Sequence, residues 1–303
     1  MRWILIVVSA LLFGGQAIAQ DVPAEGSTVK GTLVIGRSTF PLPPGEWKVA
    51  ATSVGNVTLD GIRKGSSTAS TYLVQQDANG TFVAALFHRV PLSSSNTSGW
   101  TDNLCDRKDT LFRDAFSGSF NFPECLLINH NVAFWTVTPT VEYDRKIWDW
   151  LQQNKVKLPK AVLIASYRKY FGGDYVSLAI AVNPEVFGQD VSLKTVWAES
   201  EWHPLVVKND PKRLAFVENF KKWSYAMADN ARVVLVDRKP KSALLPALDE
   251  LSGASAKVQT GVSSEAGAKS AEQRLSELKA LLDKGLITKE QFDEKRAVII
   301  KGL

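Results

Sequence analysis

The chain has 303 residues and a formal net charge of +5, and its content of 45% hydrophobic and 22% charged residues is ordinary for a globular protein. This composition excludes a chain that is disordered throughout. The basic residues are scattered and form no Lys/Arg block, so the charge alone does not indicate a nucleic-acid-binding protein.

Residues 1–19 are predicted to be a secretory signal peptide. Arg2 supplies a short positive region, residues 3–13 are apolar, and Ala17-Ile18-Ala19 has the small-x-small pattern of a cleavage site. We therefore expect cleavage near Ala19 and a periplasmic or secreted protein, which argues against a nucleic-acid partner. No later segment approaches about 18 consecutive apolar residues, so we expect no stable insertion into a membrane.

Residues 20–251 are predicted to form a body domain built from antiparallel hairpins. Asn79-Gly80 favours a tight turn between two β-prone runs, and residues 171–174 favour a second one. The other predicted strands are residues 31–36, 46–51, 125–135 and 232–237. The Pro-Pro-Gly-x-Trp run that ends at Trp47 resembles uncharacterised bacterial exported proteins, and this resemblance implies no function.

Loops and helices complete the predicted body. Residues 41–45 (Pro-Leu-Pro-Pro-Gly) indicate a rigid turn, and residues 184–203 indicate short strand-like runs with turns. One helix is predicted after Thr140, and a longer one begins at Pro211 with Asp210 as its cap. The predicted fold class is α+β: antiparallel hairpins with a few packed helices, followed by a flexible linker and a small C-terminal helical hairpin.

Cys105 and Cys125 are the two cysteines of the chain. In an oxidising compartment such a pair is expected to form a disulfide, and its spacing fits neither a Cys-x-x-Cys motif nor a zinc site. Residues 100–123, which include Cys105 and end just before Cys125, are predicted to be irregular, and this long loop is either functional or simply held by the disulfide.

No catalytic, cofactor or metal site is predicted. The histidines form no metal-binding motif, and no nucleophile elbow or phosphate-binding loop occurs. The ligand-binding candidates are Trp100, Trp202 and His203, since both tryptophans lie in polar, loop-like segments where exposure is expected. A hydrolase using Glu201, His203 or Asp106 remains an alternative.

Residues 252–269 are rich in Ser, Gly and Ala and are predicted to be a linker. Residues 270–303 indicate two amphipathic helices. Ser270 with Gln273, and Thr288 with Gln291, have the spacing of capping boxes, and Gly285 suits the turn between them. The apolar residues expected to make contacts are Leu275, Leu278, Leu281, Leu282, Leu286, Ile287, Phe292 and Ile299.

This C-terminal segment resembles the SHOCT family of short domains, which usually stand at the C-terminus of bacterial proteins. The run Gly-Leu-Ile-Thr-x-Glu-x-Phe, residues 285–292, is the most specific part of the resemblance. It implies oligomerisation or contact with a partner, not chemistry. We therefore predict an exported protein that self-associates or docks on a protein partner through this segment, with an envelope-ligand-binding module as the alternative.

Overall fold

The computed structural model describes residues 22–36, 38–59, 63–92, 105–107, 109–117, 122–132, 138–171, 174–236 and 245–252. Six isolated positions are described further on, at 275, 279, 289, 292, 293 and 296. The chain divides into two compact units, Met1–Ala256 and Lys257–Leu303. The sheet domain, as we call the first unit, contains all the strands given below.

Eight strands form one antiparallel sheet in the order β1-β2-β3-β4-β8-β7-β6-β5. Their bounds are β1 Thr28–Ile35, β2 Ser38–Leu59, β3 Arg63–Gln76, β4 Phe82–Pro91, β5 Phe112–Ser117, β6 Glu124–Val132, β7 Ala161–Phe171 and β8 Asp174–Val182. Strands β1 to β4 form one meander and β5 to β8 form another. The two meanders join where β4 pairs with β8, which leaves β1 and β5 at the edges.

The turn between β3 and β4 shows how local sequence fixes the strand register. The Asp77 carboxylate accepts hydrogen bonds from the backbone N–H groups of Asn79 and Thr81, each at 2.8 Å. Gly80 has a φ of +76°, in the left-handed region that glycine adopts without a steric penalty. These features set Gln75 opposite Ala84, so the predicted hairpin is confirmed.

Three α-helices are present in the described residues of the sheet domain: α1 Glu142–Gln153, α2 Pro204–Val207 and α3 Pro211–Ala231. Asp210 caps α3 as predicted, because its Oδ1 accepts from the backbone N–H of Arg213 at 3.0 Å. Shorter turns follow the 3₁₀ pattern at Pro184–Phe187, Trp197–Glu199 and Leu248–Ser252, and a π-helical turn spans Arg232–Val236.

The two faces of the sheet bury separate hydrophobic clusters. On one face, called here the α3 face, Phe216, Phe220 and Met227 of α3 pack among residues of most strands. On the other, called here the α1 face, Ile147 and Leu151 of α1 pack against a smaller cluster. Successive side chains on a strand point to opposite faces of the sheet, so a side chain's position in the strand decides which of the two clusters it joins.

The predicted fold class is wrong. The strands do not form separate hairpins with interspersed helices; they belong to a single eight-stranded antiparallel sheet, with three α-helices in the described residues of the sheet domain. Local turn signals reveal hairpins, but they do not reveal that β4 pairs with β8 about ninety residues further along the chain. The predicted C-terminal helical hairpin is not shown, because only six isolated positions of residues 270–303 are described.

Four local predictions also need correction. Residues 41–45 lie inside β2, where the register with β1 jumps from Glu46 to Pro41, so they form an irregular bulge in the strand and not the predicted rigid turn. The pairing of β2 with β3 begins only at Lys48, so the missing N–H of Pro41 costs no ladder bond to β3. The segment 100–123 contains the edge strand β5, residues 184–203 contain 3₁₀ turns, and residues 232–236 are helical where a strand was expected.

Candidate functional site

Trp202 was expected to be exposed, and the structure shows that this is wrong. Its side chain is fully buried on the α3 face, with its ring centroid 5.9 Å from that of Phe216 in α3. The guanidinium carbon of Arg213 lies 5.8 Å from the indole centroid. Trp202 is therefore a core residue that packs under the start of α3, and it does not present a stacking surface for a ligand.

His203 serves as the cap of α2. Its Nδ1 accepts a hydrogen bond from the backbone N–H of Leu205 at 3.2 Å. A neutral imidazole that accepts at Nδ1 carries its proton on Nε2. One ring nitrogen is thus used to satisfy a helix terminus.

Glu201 and Asp106, the carboxylates considered for a hydrolase, each have a neighbouring partner. Glu201 Oε1 accepts from the backbone N–H of Ser192 at 2.6 Å and from its hydroxyl at 3.1 Å. Asp106 Oδ1 lies 3.2 Å from the guanidinium of Arg113. Their hydrogen bonds hold loops in place, and no contact joins Glu201 to His203 as an acid–base pair within the described residues.

The structure brings His203 into an aromatic cluster with His130 and Trp197. The His130 ring stacks on Trp197 with centroids 5.0 Å apart and an interplanar angle of 16°. His203 meets Trp197 edge-on at 4.5 Å and His130 at 6.5 Å. Sequence reasoning missed His130 and Trp197. The burial of His130 could have been predicted, because it lies on the same face of β6 as the apolar residues Leu126 and Ile128.

Burial lowers the pKa of His130 to about 4, because the charged imidazolium loses its hydration in the core. The nearby backbone carbonyl of Trp197 and the carboxylates of Glu201 and Asp109 favour the charged form, but burial outweighs them. His130 Nε2 lies 3.4 Å from the Trp197 carbonyl oxygen. His130 is therefore neutral at neutral pH, and its contact with Trp197 is one of packing.

Metal binding was considered from the same side chains. Among the described residues, no group of three or more His, Cys, Asp or Glu side chains is arranged to hold a metal ion. Over the same part of the chain, no helix combines the length and apolar composition needed to span a bilayer.

The structure places Cys105 and Cys125 in a disulfide, with their Cα atoms 5.7 Å apart. Cys125 lies on β6 and is fully buried, and Cys105 is 3% exposed. Together with Leu127 they form a small cluster on the sheet. The disulfide fixes residues 105–107 to the sheet on the α1 face, beside the cross-strand partner of Cys125, which is Arg168. Trp100 lies outside the described residues.

The second unit is described only at isolated positions, each of them helical. Leu275 and Phe292 are half-buried, whereas Lys279, Lys289 and Arg296 are exposed. This partition agrees with the apolar and polar positions of the sequence pattern. The other predicted contact residues, Leu278, Leu281, Leu282, Leu286, Ile287 and Ile299, lie outside the described residues.

Residues 273–300 match the family model of SHOCT, the short C-terminal domain. The resemblance of this segment to that family is thereby confirmed. No curated protein matches the chain. A solved structure with some similarity is a GntR-family transcriptional regulator from Enterococcus faecalis V583, at 9% identity over 48% of this chain and 99% of that one. Its TM-score is 0.26, which is too low to support an argument about fold or function.

Proposed function

We propose that this is an exported protein whose SHOCT segment, residues 270–303, mediates self-association of the chain. The observation that carries the proposal is the match of residues 273–300 to the SHOCT family. The sheet domain precedes it as a compact unit of its own. Docking on a different protein partner is the other outcome that the experiment distinguishes.

The distribution of side chains in the SHOCT segment supports a contact role. Leu275 and Phe292 are half-buried while the charged Lys279 and Lys289 are exposed. A segment of about thirty residues is too short to bury a full apolar stripe on itself, so its remaining apolar side chains need a second surface to cover them. The Ser/Gly/Ala-rich residues 252–269 would let the segment reach a second copy of the chain.

Export is supported by two independent features. Residues 1–19 have the order of regions found in signal peptides. The disulfide between Cys105 and Cys125 is the kind of bond that persists in oxidising compartments and is rare in the cytosol. Sequencing the N-terminus of the exported protein should find Gln20 first. A mature chain that still begins at Met1 would contradict the prediction.

Self-association is tested by light scattering on the mature chain. Deletion of residues 270–303 should reduce the particle mass to that of one chain, and Leu281→Asp should do the same by charging the apolar stripe. Lys279→Asp is the matched control, since it adds the same residue at an exposed position and should leave the mass unchanged. All three variants should keep the melting temperature of the sheet domain.

The result that refutes self-association is a full-length chain that is already monomeric, or an oligomer that survives the deletion. A monomer that captures a distinct protein only when residues 270–303 are present assigns the segment to docking. The two alternatives considered from sequence have less support: Trp202 is in the core, and Glu201 and His203 are held by Ser192 and Leu205.

A further inference from the structure

The start of α3 packs on two segments that come from elsewhere in the sheet domain. The Phe216 ring of α3 lies 6.0 Å, centroid to centroid, from the Phe187 ring and 5.9 Å from the Trp202 ring. Phe187 ends the 3₁₀ turn Pro184–Phe187, and Trp202 lies in the loop before α2. Three segments therefore meet here, and we call this place the α3 junction.

Arg213, in the first turn of α3, makes contacts with the same segments. Its Nη2 donates to the Asp190 carbonyl at 3.0 Å, and its guanidinium carbon lies 5.8 Å from the centroid of the Trp202 indole. Its Nη1 pairs with the carboxylate of Asp210, the cap of the helix. The positive charge of Arg213 is therefore already balanced by a carboxylate of the chain.

Three polar atoms at the α3 junction are buried and have no hydrogen-bond partner among the described residues. They are Nε1 of Trp202, Nε of Arg213 and Oε1 of Gln189. The Trp202 side chain is fully buried, so its indole N–H does not reach bulk water. An unpaired buried donor or acceptor costs free energy, and folded proteins pair nearly all such groups with protein atoms or with ordered water.

The contacts of Arg213 place these atoms in the same part of the fold. In a guanidinium group the N–H of Nε and one N–H of Nη2 lie along the same edge, and here Nη2 donates to the carbonyl of Asp190. The unpaired N–H of Nε is thus directed to the side of the chain where Gln189 precedes Asp190. The Trp202 indole lies beside the same guanidinium group.

The chemistry of the three atoms decides which group completes them. Trp202 Nε1 and Arg213 Nε are donors, and Gln189 Oε1 is an acceptor, so the group must accept two hydrogen bonds and donate one. An ionised carboxylate has no proton to donate to Oε1. It would also add a second negative charge beside a guanidinium that Asp210 already balances. A neutral oxygen that carries hydrogen meets all three requirements.

We propose that an internal water molecule is bound at the α3 junction, where it accepts from Trp202 Nε1 and Arg213 Nε and donates to Gln189 Oε1. A buried water makes about three hydrogen bonds of this kind in globular proteins. The water joins the first turn of α3 to the loop that carries Trp202 and to the segment after the 3₁₀ turn. All these residues belong to the sheet domain, so the proposal does not depend on self-association.

NMR spectroscopy of the mature full-length chain tests the site through the indole N–H groups, with sequential assignment to identify each resonance. The Trp202 indole proton should show a nuclear Overhauser effect to water, with the sign that a long-lived bound water gives. Trp47 is the matched control, since it is equally buried but donates its indole N–H to the Pro43 carbonyl at 3.0 Å. The Trp47 indole proton should show no such effect. The proposal is overturned if the Trp202 proton behaves like that of Trp47.

Gln189→Met tests the acceptor through the sign of a change in melting temperature. Met is similar to Gln in length and has no Oε1, so a water that donates to Oε1 loses that partner. The melting temperature should then fall by roughly 2–4 °C. Removal of an acceptor that is unpaired in the folded protein should raise it instead.

Gln153→Met is the matched control for this replacement. Gln153 is exposed on α1, so the same change of side chain there should leave the melting temperature as in wild type. A melting temperature of Gln189→Met at or above that of the control overturns the water bridge to Gln189.

Discussion

Replacement of Glu124 by Gln should destabilise the sheet domain more than any surface charge change. Glu124 lies on β6, and its side chain is 8% exposed. Its carboxylate accepts from the Tyr167 hydroxyl at 2.9 Å, from Lys169 Nζ at 2.9 Å and from Arg232 Nε at 2.7 Å. Since Arg232 follows the last residue of α3, this network ties the end of the helix to the sheet.

The expected magnitude follows from the burial of the partners. Removing one member of a fully buried ion pair costs about 3–5 kcal/mol, because a charge is left unpaired. Lys169 and Arg232 are 21% and 33% exposed, so water can hydrate them in part and the cost should fall at or below the bottom of that range. We expect Glu124→Gln to lower the free energy of unfolding by about 2–3 kcal/mol, and the melting temperature by roughly 4–12 °C for a domain of this size.

The effect should also depend on pH. Burial tends to raise the pKa of Glu124, but the hydrogen bonds from Lys169, Arg232 and Tyr167 outweigh it and hold the pKa below the ordinary value of 4.5. The ionised Glu124 carboxylate therefore contributes its full share to the stability of the fold above pH 4.5. This contribution is lost as the pH falls through the lowered pKa. The difference between wild type and Glu124→Gln should be constant near pH 7 and shrink below about pH 4.5.

Urea unfolding at pH 7 and at pH 3.5 measures both effects. Glu199→Gln is the matched control. Glu199 is exposed, so this replacement should change the free energy of unfolding by less than about 0.5 kcal/mol. The reasoning fails if Glu124→Gln is as stable as that control at pH 7. It also fails if the destabilisation at pH 3.5 equals that at pH 7.

Two further predictions concern other buried groups. Replacing Cys105 and Cys125 by Ser should lower the free energy of unfolding by about 3 kcal/mol, because the disulfide closes a loop with a separation of 20 residues and so reduces the chain entropy of the unfolded state. Thiol titration of the denatured, unreduced wild type should find no thiols, and finding two contradicts the disulfide. Burial lowers the pKa of His88 to about 3, below the 6.5 expected when unfolded, so its stabilisation is complete above pH 6.5 and is lost as the pH falls toward 3. Between pH 6.5 and 3, His88→Leu should reduce the slope of the free energy of unfolding with pH by up to about 1.4 kcal/mol per pH unit. At pH 7 the replacement should cost little stability, because both ring nitrogens of His88 lack partners among the described residues. An unchanged slope would refute this account.

Much of the local structure was predictable because its causes are local. The turn at Asn79-Gly80, the cap at Asp210 and the apolar spacing of α3 depend on residues within a few positions of one another. The pairing of Cys105 with Cys125 required only the count of cysteines and an oxidising compartment. The SHOCT segment was recognisable from one short run, and residues 273–300 match that family.

The candidate site was less predictable because its parts are distant in sequence. Trp202 follows a polar segment, and only the arrival of Phe216 and Arg213 from α3 shows that it is buried. His130 and Trp197 are 67 residues apart, and no sequence pattern joins them. The proline run was read as a turn because nothing local shows that the first part of β2 pairs with one neighbour only.

The sequence by itself determined the β3–β4 and β7–β8 turns, the cap of α3, the disulfide partners and the SHOCT match of residues 273–300. Each depends on backbone preferences or on chemistry that a few neighbouring residues carry. Tertiary structure alone decided that β4 pairs with β8, and this pairing joins the two meanders into one sheet. Register between strands far apart in the chain is set by the packing of whole faces, so the side chains that lie beside one another on β4 and β8 are decided only in the folded sheet.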